Sequence, residues 1–265
     1  MPCVRAIDSR TNRIHSRVIR MVTRMRKITA TALLLAFALS GPALAAQLKI
    51  STIETPPWAF VDAATGRPAG FFPAVVQELS RRTGISFVMS LQPFARISPE
   101  IEIGLQDCAM VVWMDGNERF AVKGGLVASH QISVIPGKET AISSYEDLKG
   151  LNISVLRGLK YPAPFETDHD IGKVVENDYI SGIRKTVRGR VDAVAGATAT
   201  LEYLAKSERL DEGLGRPFIL GSMDIFLQFS QKSTHLDTLA LLNAALSDMA
   251  LDGTMDRLMR ENFFK

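Results

Sequence analysis

Asp107-Cys108-Ala109-Met110-Val111-Val112-Trp113-Met114-Asp115-Gly116-Asn117-Glu118-Arg119 runs from an apolar block into small and polar residues and then into one arginine. A short continuous apolar run closed by turn-formers is the pattern of a strand buried on both faces, as in a parallel sheet covered by helices. In open sheets of that kind the carboxyl ends of the strands border the ligand crevice. The stretch therefore predicts a buried strand that carries Arg119 to a crevice.

Upstream, Leu48 to Ile53 alternates like a first strand, and Pro56-Pro57-Trp58-Ala59-Phe60 follows as a stiff loop in which proline pins the backbone. Phe72, Val75, Val76 and Leu79 then mark one face of a helix that runs to about Thr83 and stops at Gly84. Ile85 to Val88 is the next strand, Phe94, Ala95 and Arg96 fall in the loop after it, and Ile101, Ile103 and Leu105 belong to a short helix before Asp107. Downstream, Val122–Val127 and His130–Ile135 form a long extended segment suited to leaving one domain and entering another. A second cycle begins with a cap and one helical turn at 143–150, a strand at Asn152–Leu156 and the loop Arg157–Tyr161. Lys173–Val175 is a strand, Tyr179–Arg188 a helix, the run up to Gly196 a strand, and Thr198–Ala205 a helix. Pro217–Leu220 returns the chain to the first domain, Ile225–Phe229 is extended, and two helices separated at Asp252-Gly253 finish it. Two repeats of strand, helix and strand predict an α/β fold of two doubly wound lobes joined by a two-strand hinge. The expected boundaries are 46–130 plus 222–265 for the first lobe and 131–221 for the second.

Residues 1–45 read as a leader rather than as fold: Met25-Arg26-Lys27 is a basic start, Ile28 to Ser40 an apolar core, and Gly41-Pro42-Ala43-Leu44-Ala45 a small-residue cleavage region. The apolar core is shorter than the roughly 20 residues that span a bilayer, so a cleavable signal peptide and a periplasmic destination are expected. This leader holds eight of the 31 basic and one of the 28 acidic residues, which leaves the remainder at a formal net charge of −4. The basic balance of the whole chain is thus a property of the leader, and nucleic-acid binding loses its support. Cys108 is the single cysteine beyond the leader, so no intrachain disulfide is expected there, and its apolar neighbours read it as a small buried hydrophobe.

Local signals for catalysis are weak. His130, His169 and His235 have no histidine or cysteine at metal-ligand spacing, and Asp168-His169-Asp170 reads as a solvated loop. Neither a G-x-S-x-G elbow nor a glycine-rich phosphate loop is present. No metal or cofactor is expected, and no enzymatic activity. Candidate binding residues lie at strand ends: Arg119 as a bidentate anion clamp, Trp58, Phe94 and Trp113 as walls, and Lys160 after Gly158, whose amide can approach an anion closely. Arg96 either reaches the same crevice or solvates the helix that follows.

Taken in order, Pro56-Pro57-Trp58-Ala59-Phe60, Gly70-Phe71-Phe72, Gly104 with Asp107, Glu118-Arg119, Asp147-Leu148-Lys149-Gly150, Gly158, Gly189-Arg190-Val191-Asp192-Ala193 and Asp252-Gly253 resemble a known family. It is that of the extracellular solute-binding proteins of family 3, the periplasmic polar amino-acid receptors of ABC transporters. The resemblance covers essentially all of the chain after the leader and implies a periplasmic binding protein-like fold of type II, closing around a solute. It implies that Arg119 holds an α-carboxylate, that Phe94 is an aromatic wall, and that Val112 and Met114 approach the ligand. Lys160 falls where the family commonly has a threonine or serine. Ala197 stands where the family has the aspartate for the α-ammonium group, Thr55 where it has an aromatic residue, and Met114 where it has threonine or serine. Glu54 or Glu166 could substitute for the missing acid. The implied function is a monomeric periplasmic receptor that binds an amino acid or related small carboxylate and serves an inner-membrane ABC permease. The alternatives are a cyclohexadienyl dehydratase-like enzyme and a receptor for a membrane sensor or dehydrogenase system.

Overall fold

The computed structural model describes residues 47–263, so the expected leader lies outside the described residues. Its centre is one eight-stranded sheet built from two parallel triplets with an antiparallel pair between them. In the first triplet β1 (Gln47–Ile53) lies between β4 (Ser86–Gln92) and β5 (Cys108–Val112), parallel to both. In the second, β7 (Asn152–Leu156) lies between β8 (Gly172–Glu176) and β9 (Ala193–Ala197), again parallel to both. The central pair is β6 (Ala121–Pro136) and β10 (Phe218–Ser230), two long strands antiparallel to each other and to the triplet edges they meet. Pairing of β6 with β10 shifts register between Ile219 and Gly221 and again between Ile225 and Gln228. Such irregularities bend a ribbon locally. A small second sheet pairs β2 (Phe60–Val61) with β3 (Pro68–Ala69).

Among the described residues six α-helices cover these strands: α1 (Phe71–Thr83), α2 (Phe94–Ile103), α3 (Tyr179–Val187), α4 (Thr198–Ser207), α5 (Leu239–Leu251) and α6 (Thr254–Phe263). Helix α1 buries the stripe expected from its spacing and ends on Gly84 in the left-handed conformation. Helix α2 corrects the sequence reading. Phe94, Ala95 and Arg96 were expected in a loop, but the helix starts at Phe94 and continues through Pro99. Proline removes one backbone donor there, yet burial of Phe94, Ile97 and Ile101 on one face holds the segment helical.

Burial divides into two hydrophobic cores. One gathers Leu48, Ile50, Trp58, the α1 stripe and the buried face of α5. The other gathers the second triplet with α3 and α4, and it also takes in Phe94, Ile97, Ala109 and Val111 from the first half of the chain. Strand β5 thus feeds both cores, with all five of its residues buried. Its start is tied by Asp107, whose carboxylate accepts the Lys49 amide at 2.9 Å and the Ser233 hydroxyl at 2.8 Å. Its end is tied by Gln228, 2% exposed, whose amide donates to the carbonyls of Val111 and Val112 at 3.0 and 3.1 Å. Asn117 donates to the Gln228 carbonyl at 3.1 Å. Gln228→Leu would strand these groups in a dry site, and a lost buried partner costs roughly 1–3 kcal/mol. The midpoint of urea unfolding should fall accordingly, with an unchanged slope.

Among the described residues no helix is long and apolar enough to cross a membrane. Nor, among them, does any group of three or more His, Cys, Asp or Glu side chains converge as a metal site would need.

Candidate functional site

The loop between β1 and β2 places the central aromatic. Gly70, at φ 109°, lets the chain turn so tightly that a Cβ there would lie 2.7 Å from the Pro57 carbonyl oxygen. The amides of Phe71 and Phe72, at the start of α1, donate to the carbonyls of Pro57 and Trp58 at 3.1 and 2.8 Å. These bonds satisfy two of the donors that a helix start leaves open and hold Trp58 against the helix. The Trp58 indole stacks on Phe72 at 5.1 Å between ring centroids, meets Phe71 edge-on at 5.8 Å, and is 5% exposed. Its Nε1 donates to the Thr200 hydroxyl at 2.6 Å. Thr200 is in the first helical turn after β9, so this bond fastens the first core to the second.

Gly158 makes the second close approach. It has φ 82°, and a Cβ there would lie 3.2 Å from Cα of Ala95 in the first turn of α2. The loop after β7 is held down by Tyr161, whose hydroxyl donates to the Ala195 carbonyl at 3.0 Å and accepts the Leu156 amide at 2.9 Å.

Between these contacts lies a cavity of about 40 Å³. Ile53, Trp58, Phe72 and Met110–Val112 wall it from the first triplet and its helix, with Phe94 and Ile225. Leu159, Tyr179 and Ala197 wall it from the second triplet, and His130 from β6. The cavity therefore sits at the carboxyl ends of β1, β5, β7 and β9, where parallel sheets present their ligand crevices. No Lys, Arg, Asp or Glu lines it. The Trp58 donor is spent on Thr200, and burial pushes the Tyr179 phenol up, offset in part by a backbone hydrogen bond with Ala197. His130 differs. Its Nδ1 is buried without a hydrogen-bond partner, its ring meets Trp58 edge-on at 5.4 Å, and burial pulls its pKa down to about 4 against a weaker upward pull from Asp224. The imidazole is neutral at pH 7.

Beside the cavity runs an open groove of about 480 Å³. Chain neighbours divide between the two at three places: Val112 and Trp113, Leu159 and Lys160, Ile225 and Asp224. The groove carries the charges: Lys123, Lys160, Asp115, Glu166 and Asp224, with Met114 and Tyr161 beside them. Lys123 Nζ lies 3.8 Å from the Phe226 ring centroid and 5.4 Å from that of Trp113. Glu166 accepts the Tyr161 amide at 2.8 Å, and Asp224 accepts the Ser129 hydroxyl.

Of the residues singled out from sequence, Trp58, Phe94, Val112 and Ala197 line the cavity, and Trp113, Met114, Lys160 and Glu166 line the groove. Five line neither. Arg119, expected to reach the crevice, is exposed on a 3-10 turn at Asn117–Arg119, where its Nε donates to the Gly116 carbonyl at 3.1 Å. Gly116 turns the chain at φ 92°, and the guanidinium folds back over that turn. Glu54 is exposed, Thr55 donates to the Glu54 carbonyl at 2.8 Å, Arg96 is exposed on α2, and Gly158 packs on Ala95. Sequence reasoning passed over His130, Leu159, Tyr179 and Thr200. Only Tyr179 carried a local signal, as the first helical residue after the capping Asp178.

The family profile of bacterial extracellular solute-binding proteins, family 3, matches residues 48–265. Among solved structures, a mutant of ArgBP from T. maritima is similar with a TM-score of 0.71 and 20% identity, over 83% of this chain and 96% of that one. The substrate binding protein of an amino acid ABC transporter gives 0.71 and 15%, over 83% and 100%. An ancestral amino-acid-binding protein, a precursor of cyclohexadienyl dehydratase, gives 0.69 and 21%, over 83% and 95%. No curated protein matches the chain.

Proposed function

Because the chain belongs to the bacterial extracellular solute-binding proteins, family 3, we propose that it is the periplasmic receptor of an ABC-type uptake system. It closes two lobes, with β6 and β10 as the hinge, on a small carboxylate whose body is apolar. The observation that supports this most is the division of the site: an apolar cavity walled from both cores, with no Lys, Arg, Asp or Glu in its lining, beside a groove lined by five charged side chains. Charged groups enter dry apolar space at high cost unless paired. An apolar body in the cavity and a carboxylate in the groove avoid that cost. Ala197 offers no counter-charge for an α-ammonium group inside the cavity. The carboxylate falls instead to Lys160 and Lys123, and Arg119 stays on its turn.

A cavity of about 40 Å³ holds about one to three waters and no amino acid. Loading therefore requires the cores to part, and closure around the solute gives the form a permease distinguishes from the open one. The same site supports binding over dehydration: a general acid must reach the reacting group, no carboxyl group lines the cavity, and burial leaves the His130 imidazole unprotonated and makes the Tyr179 phenol a weaker acid. The exported character of the family supports the reading of residues 1–45 as a cleaved leader.

A thermal-shift screen of amino acids and small organic acids tests the reading. An apolar carboxylate should raise the melting temperature by mass action. Lys160→Ala should weaken that ligand about tenfold, the scale of one charge-assisted hydrogen bond, and Arg119→Ala should leave it unchanged. The reverse pattern, with Arg119 essential and Lys160 dispensable, would overturn the assignment of the carboxylate.

A further inference from the structure

His130 is the one residue of the cavity wall whose polar atom is buried with nothing to bond. A buried donor or acceptor left unpaired costs on the order of 1–3 kcal/mol, so such an atom is retained where something else completes it. The ring is held in place. Trp58 packs on it edge-on, and its backbone pairs with Met223 in the antiparallel ladder of β6 and β10. The cavity that it lines holds no Lys, Arg, Asp or Glu. The remaining charged neighbour is Asp224 on β10, whose carboxylate already accepts the Ser129 hydroxyl.

We propose that His130 is the specificity-determining contact of the cavity, and that the inner end of the solute is an apolar body bearing one neutral hydrogen-bonding group, a hydroxyl or an amide, which pairs with Nδ1. This deepens the receptor reading by naming the chemistry of the buried end. An ammonium or a carboxylate does not fit, because a neutral imidazole among apolar walls supplies no counter-charge. A bare hydrocarbon fits by shape but leaves Nδ1 unpaired. Sites built to hydrogen-bond a hydroxyl reject the analogue lacking it far more strongly than apolar pockets reject an extra methylene. His130 also lies on a strand that runs between the two parallel triplets, so the bond that selects the solute is made to the segment that bends on closure.

The test uses the full chain, labelled with ¹⁵N-histidine, and two probes of equal size, phenol and toluene. Neither carries a carboxylate, so the outcome is independent of Lys160. Phenol is expected to shift the His130 Nδ1 resonance and to bind about tenfold more tightly than toluene, the effect of one net hydrogen bond. His130→Leu should abolish the preference and His130→Asn, whose side-chain amide supplies a neutral hydrogen-bonding group in place of the imidazole, should restore part of it. Equal affinity for the two probes, or a His130 resonance that neither moves at low-millimolar concentration, would overturn the proposal. Failure of the receptor reading shows elsewhere, as binding of 3-phenylpropionate that is no tighter than that of phenol and indifferent to Lys160→Ala.

Discussion

Trp58→Ala should be the most damaging single substitution at the site, and Trp58→Phe should separate the two reasons why. The indole is 5% exposed and packs on Phe71, Phe72, His130 and Phe263. Truncating a buried tryptophan to alanine costs roughly 3–5 kcal/mol, from lost transfer energy and the cavity that remains. At about 2–4 °C per kcal/mol for a chain of this size, the melting temperature should drop by about 10 °C. Phenylalanine keeps most of the packing but has no Nε1 donor, so Thr200, itself fully buried, loses its hydrogen-bond partner. The expected result for Trp58→Phe is a smaller loss, about 1–2 kcal/mol, with a larger radius of gyration in solution scattering because nothing polar fastens the cores. Thr200→Val removes the acceptor while keeping the shape. The double-mutant cycle should give a coupling of about 0.5–1.5 kcal/mol between the two positions. A coupling of zero, or unchanged scattering in both single variants, would show that the bond does not hold the cores together.

Much of the frame is legible in the sequence because it rests on local periodicity. The α1 stripe of Phe72, Val75, Val76 and Leu79 with Gly84 after it, the apolar run of β5 and the repeat of the strand-helix-strand cycle all express spacing that one segment carries alone. Helix α2 was less legible since Pro99 signals a break, and only burial of Phe94, Ile97 and Ile101 against the second core decides otherwise. The site was less legible still. Its walls come from many elements, and its one cross-core hydrogen bond joins residues 142 apart. Spacing located Arg119 one turn beyond a strand end but could not say where the guanidinium would point. That direction depends on the Gly116 turn, whose carbonyl it finds at 3.1 Å. For His130 the sequence showed a polar residue in an extended apolar segment, a pattern shared by any solvated strand position. What distinguishes it is the orphaned Nδ1, which exists only once Trp58 has been packed against the ring.

Acid should destabilise this protein through His130 before it does so through any carboxylate. In the folded state burial holds the imidazole pKa at about 4, against 6.5 in the unfolded chain. Between those values the unfolded chain binds a proton that the folded one refuses, so each step down in pH favours unfolding. The stability is whole above pH 6.5 and falls as pH drops towards 4, by up to about 3 kcal/mol at 1.36 kcal/mol per unit. Glu78 and Asp252 act in a lower window. Hydrogen bonds from Arg81 and Arg82 lower Glu78 to about 2, and Thr254 followed by Arg82 lowers Asp252 to about 2. Their contributions are intact at pH 5 and disappear as the pH falls through 4 towards 2. Urea unfolding at pH 7, 5.5 and 4.5 should therefore show a steep loss in the wild type and a shallower one in His130→Leu. Asp224 is the charged group that pulls the imidazole pKa upward, so Asp224→Asn should depress it further and steepen the loss at the acid end. Parallel curves for wild type and His130→Leu would mean that the ring is solvated and free to protonate, and the burial that gives it a binding role would be lost with that result.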